Sequence, residues 1–152
     1  MRVLRLPAYY PPEQAASSYL WSNIIDHFIQ CGHEVDIYAP TPTRGVSLEV
    51  RAEYKKRKLE ILHDGKLRVH RFSMYGEGKN PALRAMRYVL CCCKHFYHGI
   101  TAKDIDVMFL SSTPPIQGAM GAIIKKFRKI PILYSLQDIF PDYLAGTSLD
   151  KL

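Results

Sequence analysis

The chain has 152 residues, 47% hydrophobic and 23% charged, a balance that excludes global disorder and suits one domain with a real core. Its formal net charge of +7 is the unusual figure, and it points toward an anionic partner: nucleic acid, an anionic membrane or a phosphorylated small molecule. No run approaches a membrane span, the apolar run after Arg2 stops at Pro7, too short for a secretory signal, and three of the four cysteines are adjacent, so a reduced, cytosolic setting is expected.

"RVLRL" (2–6) reads as a short buried strand. Residues 15–31 have helical spacing, with Leu20, Ile24, His27/Phe28 and Cys31 on one face, and Gly32 is a natural stop. "EVDIYAP" (34–40) alternates and ends at proline, as a strand does. Strand, helix and strand this close together make a βαβ unit and therefore a parallel sheet. Residues 41–58 are expected to be loop, with Arg51, Lys55, Lys56, Arg57 and Lys58 as a solvated basic run. "KLEILHDGKLRVHRF" (58–72) reads as a hairpin turned by Asp64-Gly65.

"PALRAMRYVLCCCKHFYHG" (81–99) reads as a second helix with an apolar stripe of Leu83, Met86, Leu90, Cys93 and Tyr97. Arg84, Arg87, Lys94 and His98 lie on an adjoining face. "DVMFLSS" (106–112) is a core strand. A helix then starts near Pro114 or Pro115, with Ile116, Met120, Ile123 and Phe127 expected to face inward. "IPILYSLQD" (130–138) is the last strand. There is no internal repeat and no low-complexity tract.

This order predicts an α/β fold over residues 1–152: a Rossmann-like, doubly wound, mainly parallel sheet with helices on both faces and the first strand central. Ligands of such sheets bind outside the carboxyl ends of the strands. That rule selects residues 8–17, 111–116 and 137–142. The first of these lacks glycine, so it is not a dinucleotide fingerprint. Ala15, Ala16, Ser17 and Ser18 still permit some approach to helix-terminal amides, and Glu13 suits a sugar hydroxyl better than a bare phosphate. Glu13, Ser17 or Ser18 can equally serve as plain helix caps. In "SSTPPIQG" the hydroxyls begin a helix whether or not they touch a ligand. Gln137 and Asp138 stand at a strand's carboxyl end.

Cys91, His95 and His98 share a helical face, but one helix rarely supplies every ligand a metal needs, and the expectation is an amphipathic helix whose histidines are wet, with no metal site. No zinc-finger, RNP or convincing helix-turn-helix pattern is present, so no nucleic-acid partner is expected. Lys55, Lys56, Arg57 and Lys58, with Arg84, Arg87 and Lys94, would instead form a patch facing anionic lipid.

The ordered set "YYPPE", "GHEVDIYAP", "DGKLRVHRF", "SSTPPIQG" and "YSLQDIFPD" resembles the N-terminal half of glycosyltransferase family 4, from about residue 2 to 146. It is most similar to bacterial sugar transferases of surface-polysaccharide assembly, of the N-acetyl-L-fucosamine transferase type. The resemblance implies one half of a GT-B architecture. It implies transfer from a nucleotide-sugar donor with retention at the anomeric carbon and no metal or other cofactor. The N-terminal domain would hold a glycan acceptor, expected to be lipid-linked, and an absent C-terminal domain would grip the nucleotide. The chain would then be an excised piece, a truncated gene product or half of a split enzyme, inactive alone. The resemblance assigns substrate contact to Glu13, Gln14, Ala15, Ala16 and Ser17 in the first loop and to Ser112 and Thr113. Many members have paired glycines where this chain has Gln14, Ala15 and Ala16. Gln137 falls where many carry a histidine beside the reacting sugar, and Asp138 would bind or orient the acceptor. The expected location is cytoplasmic, peripheral at the inner membrane face. The alternative is a non-enzymatic Rossmann-like module that recruits or activates a separate catalytic subunit at the membrane.

Overall fold

A computed structural model describes residues 1–13, 18–76, 80–114 and 116–136. The strands are β1 (Arg2–Arg5), β2 (Glu34–Pro40), β3 (Leu59–Leu62), β4 (Leu67–Phe72), β5 (Val107–Ser111) and β6 (Ile132–Ser135). The helices are α1 (Ser18–Gln30), α2 (Leu48–Lys56), α3 (Pro81–Thr101) and α4 (Ile116–Arg128). The strands form one sheet in the order β3-β4-β2-β1-β5-β6, parallel except for β3 against β4. The protein is α/β, with β1 between β2 and β5 as the chain order predicts.

Alternation along the strands divides the core in two. Val3, Val35, Ile37, Val69 and Phe109 pack with Trp21, Ile25 and Ile29 of α1. Leu4, Leu6, Met108 and Leu110 pack with Cys92 of α3 and with Met120 and Ile124 of α4. On this second face a buried carboxylate ties three strands: Asp36 of β2 accepts from Arg2 Nε of β1 and lies 3.6 Å from Arg68 Nη1 of β4. Burial pushes the Asp36 carboxyl up, but hydrogen bonds from His70 and Arg2 and the charges of Arg2 and Arg68 outweigh it and hold it at about 2.

Local chemistry sets the boundaries. After α1, Gly32 takes φ +80°, and the amides of Gly32 and His33 reach the carbonyls of Ile29 and Phe28, both at 3.0 Å, closing a left-handed helix cap. His63, Asp64 and Gly65 all have positive φ in the β3–β4 turn, so the Asp64-Gly65 turn forms where expected. The Asn80 side chain accepts from the Ala82 and Leu83 amides at the start of α3, and Pro81 takes the first helical position. At its other end the Arg128 guanidinium, from the end of α4, donates to the Gly99 and Ala102 carbonyls.

Four expectations are corrected. Residues 48–56 are helix, not loop: Ser47 Oγ accepts from the Val50 amide and starts α2, so Lys55 and Lys56 sit in its last turn. The buried stripe of α1 is Trp21, Ile25 and Ile29; Ile24 and Phe28 flank it, whereas Leu20, His27 and Cys31 are exposed. In α3 the buried residues are Arg87, Cys91, Cys92, His95 and Gly99, while Leu83, Met86, Leu90, Cys93 and Tyr97 face outward. In α4 Gln117, Met120, Gly121 and Ile124 are buried, and of the expected inward residues Ile116, Ile123 and Phe127 are exposed. Close approach explains the last two. A Cβ on Gly99 would stand 2.5 Å from Ile124 Cδ1, and one on Gly121 would stand closer still to Leu110 Cδ1. Both contacts need the small residue, so the small and polar side of each helix turns inward.

Candidate functional site

β1 and β5 are adjacent and parallel, so the segments that follow them leave the same edge of the sheet. Residues 7–13 follow β1, and Ser112 to Pro114 follow β5. Of the residues expected to contact substrate, Glu13, Ser112 and Thr113 are among those the structure describes. Gln14, Ala15, Ala16, Ser17, Gln137 and Asp138 lie outside the described residues.

Glu13 is buried. Its Oε1 accepts from the Thr43 amide at 2.6 Å, the Arg44 amide at 2.8 Å and Thr43 Oγ1 at 3.3 Å. Glu13 therefore braces the segment after β2, a role that sequence reasoning did not propose beside capping and ligand contact. Its Oε2 is also buried and has no hydrogen-bond partner. Ser112 is buried too, and its amide bonds to the Ser135 carbonyl of β6 at 3.0 Å. The Thr113 carbonyl accepts from Ser111 Oγ at 3.2 Å, and Thr113 itself is half-buried.

Several polar residues of this edge went unrecognised in the sequence. Gln117, fully buried in the first turns of α4, donates through Nε2 to the Leu6 carbonyl just beyond β1, and its Oε1 lies 3.5 Å from Ser111 Oγ of β5. Its signal was a polar residue at an inward helical phase, hidden by the larger apolar neighbours. Arg71, at the end of β4, donates to Glu60 Oε1 at 2.9 Å, to the Pro40 carbonyl and to the Pro11 carbonyl. Its guanidinium also lies 5.1 Å from the Tyr10 ring centroid. Arg5, the last residue of β1, stacks on Trp21 with its Cζ 4.1 Å from the ring centroid, and burial lowers its pKa to about 10.

Arg87 was expected on a basic surface patch, and the structure corrects this: the residue has 0% exposure. The first turns of α3 carry it under the loop after β1, where its Cζ lies 4.6 Å from the Tyr9 ring centroid. Arg44 approaches the same ring, at 5.8 Å. Nε, Nη1 and Nη2 of Arg87 are all buried without a hydrogen-bond partner. Lys55, Lys56, Arg57, Lys58, Arg84 and Lys94 are exposed, and Arg57 is engaged by Glu53.

Of the two histidines expected to be wet, His95 is not, and His98 is so only in part. His95 is fully buried, with Nε2 3.0 Å from the Tyr38 carbonyl and its ring nitrogens 3.8 Å from Cys91 Sγ. His98 is half-buried, stacked on Tyr38 at a centroid distance of 4.3 Å. Burial, first of all, pushes the Cys91 thiol up to about 12, so it rests as the protonated, weakly nucleophilic thiol near neutral pH. Among the described residues no group of three or more His, Cys, Asp or Glu side chains is arranged to hold a metal ion.

The described residues around the loop after β1 thus include a carboxylate with one unpartnered oxygen, a guanidinium with none of its donors used, and the rings of Tyr9 and Tyr10. This set can accept a hydroxyl, donate to an anion and stack against a sugar or ring. A scan against protein-family models matches none, and a search of curated proteins finds no match.

Proposed function

We propose that the chain is the acceptor-side domain of a retaining glycosyltransferase of family 4, a doubly wound Rossmann-like half of a GT-B enzyme. The single observation that supports this best is the adjacency of β1 and β5. It sends "YYPPE" and "SSTPPIQG", the motifs that carry the resemblance, to one sheet edge. In this reading Glu13 Oε2 receives an acceptor hydroxyl, Ser112 and Thr113 line the acceptor side, and Asp138 orients the acceptor without forming a covalent bond to it. In the same reading Gln14, Ala15, Ala16 and Ser17 contact substrate, and Gln137 acts beside the reacting sugar. The donor is a nucleotide sugar held by a second domain, and no metal or other cofactor takes part. The acceptor is a glycan on a lipid carrier, in polysaccharide synthesis at the cytoplasmic face of a membrane.

Two surface features fit that location. Lys55, Lys56, Arg57, Lys58 and Arg84 supply exposed positive charge. Leu83, Met86, Val89, Leu90 and Tyr97 supply an exposed apolar stripe on the same helix as Arg84. No helix among the described residues is long and apolar enough to cross a membrane.

The test uses labelled nucleotide sugars offered with membrane lipid extract. The product of the longest reading frame containing this sequence, or the chain paired with a separately encoded donor-binding half, should label lipid; the 152-residue chain alone should not. Turnover by the chain alone would refute the two-domain reading. No labelling by any combination would favour a non-enzymatic recruiting module.

A further inference from the structure

A guanidinium removed from water normally recovers its lost hydration through hydrogen bonds to carboxylates, carbonyls or phosphates. Arg87 has recovered none. It is 0% exposed, and each of its three side-chain nitrogens is buried without a hydrogen-bond partner. The Tyr9 ring above it, at 4.6 Å, offers only the weaker attraction of a π-face. A methionine would fill the same volume at lower cost, so packing alone gives no reason for arginine here.

A second observation points the same way. Glu13 Oε2 is also buried and unpartnered, and the charges of both Arg87 and Glu13 act on the same buried thiol, Cys91. Glu13 ends the described part of the loop after β1 and Arg87 lies under its Tyr9 ring, yet neither hydrogen-bonds the other. The guanidinium calls for an anionic partner. The planar fork of arginine matches a phosphate in two parallel hydrogen bonds.

We propose that Arg87 is a phosphate-binding residue, held under Tyr9 for the phosphate or diphosphate of a ligand that displaces the Tyr9 ring. Assigning that group to the sugar-transfer acceptor rests on the function proposed above; the anion site itself does not.

The experiment is a binding titration of the 152-residue chain with inorganic pyrophosphate at constant ionic strength, read by calorimetry and by melting temperature. Wild type and the surface control Lys126→Met, which removes an exposed charge of α4, should bind and melt higher with pyrophosphate. Arg87→Met should lose the response yet melt higher than wild type without ligand, because it no longer buries an unpaired charge. Arg87→Lys, which keeps the charge but loses the fork, should bind at least about tenfold more weakly. A full pyrophosphate response in Arg87→Met would overturn the proposal, as would none in wild type. Phosphatidylglycerol vesicles separate a lipid headgroup from a soluble phosphate: wild type and Arg87→Met should bind them alike, and a vesicle response without a pyrophosphate response would overturn the site. An Arg87-dependent pyrophosphate response with no sugar transfer by the longer protein would keep the site and remove the sugar-transfer assignment.

Discussion

His95 is fully buried, with its ring against the Tyr38 carbonyl and Cys91. Burial pushes its pKa down from 6.5 to about 3, against the pull of the Tyr38 bond. Between those values the unfolded chain binds a proton that the folded chain refuses. His95 therefore contributes fully to stability above pH 6.5, and that contribution is lost as pH falls toward 3. The slope from this one group is at most about 1.4 kcal/mol per pH unit. His95→Gln keeps an N–H for the Tyr38 carbonyl but does not titrate. In urea unfolding at pH 7 and pH 5, wild type should lose about 2 kcal/mol more than the variant. Equal losses would mean that His95 is not held neutral. Asp36, held at about 2, does not blur the comparison, since its contribution is lost only as pH falls from about 3.8 through 2. The Arg87 titration belongs to this scale too, because one side chain decides its outcome.

At the scale of elements, the cap of α1 offers a clean measurement. Gly32 holds φ +80°, and apart from its chain neighbours no atom lies within 4 Å of where a Cβ would stand, so a substitution there strains the backbone alone. Gly32→Ala should cost about 1 kcal/mol and Gly32→Asn less, read as a shift in the denaturation midpoint at unchanged slope. This cap, the β3–β4 turn and the parallel strands were legible because each is written in local chemistry: a glycine after a periodic run, Asp64-Gly65 between alternating stretches, a proline closing "EVDIYAP". The helix faces were not. Counting large apolar residues turns α3 toward Leu83, Met86 and Leu90, but the helix is seated by Arg87, Cys91, His95 and Gly99. The close approach to Ile124 that Gly99 permits is a property of the partner helix, not of the α3 sequence. The candidate site was half legible for the same reason. The strand-end rule found the loop holding Glu13 and the segment holding Ser112, while Arg71 and Arg87 reach it from elements remote in sequence and Gln117, though inside "SSTPPIQG", was masked by larger apolar neighbours.

At the scale of the whole molecule, the outward apolar stripe of α3 is an exposed surface that a macromolecular partner can meet. Met86 and Leu90 are 49% and 41% exposed, so the double substitution Met86→Glu, Leu90→Glu should change stability by no more than about 0.5 kcal/mol per site. In flotation with anionic vesicles at low salt the same variant should lose most of the binding shown by wild type. Unchanged flotation would remove this stripe from membrane docking. The arginine at the end of β4 has a different whole-chain consequence. Arg71 bonds the carbonyl of Pro11, 60 residues earlier in the chain, as well as the end of β2 and Glu60 of β3. That bond ties the loop after β1 to the β3–β4 hairpin and closes a long stretch of chain. The loop after β1 therefore owes part of its shape to a side chain 60 residues later in the chain.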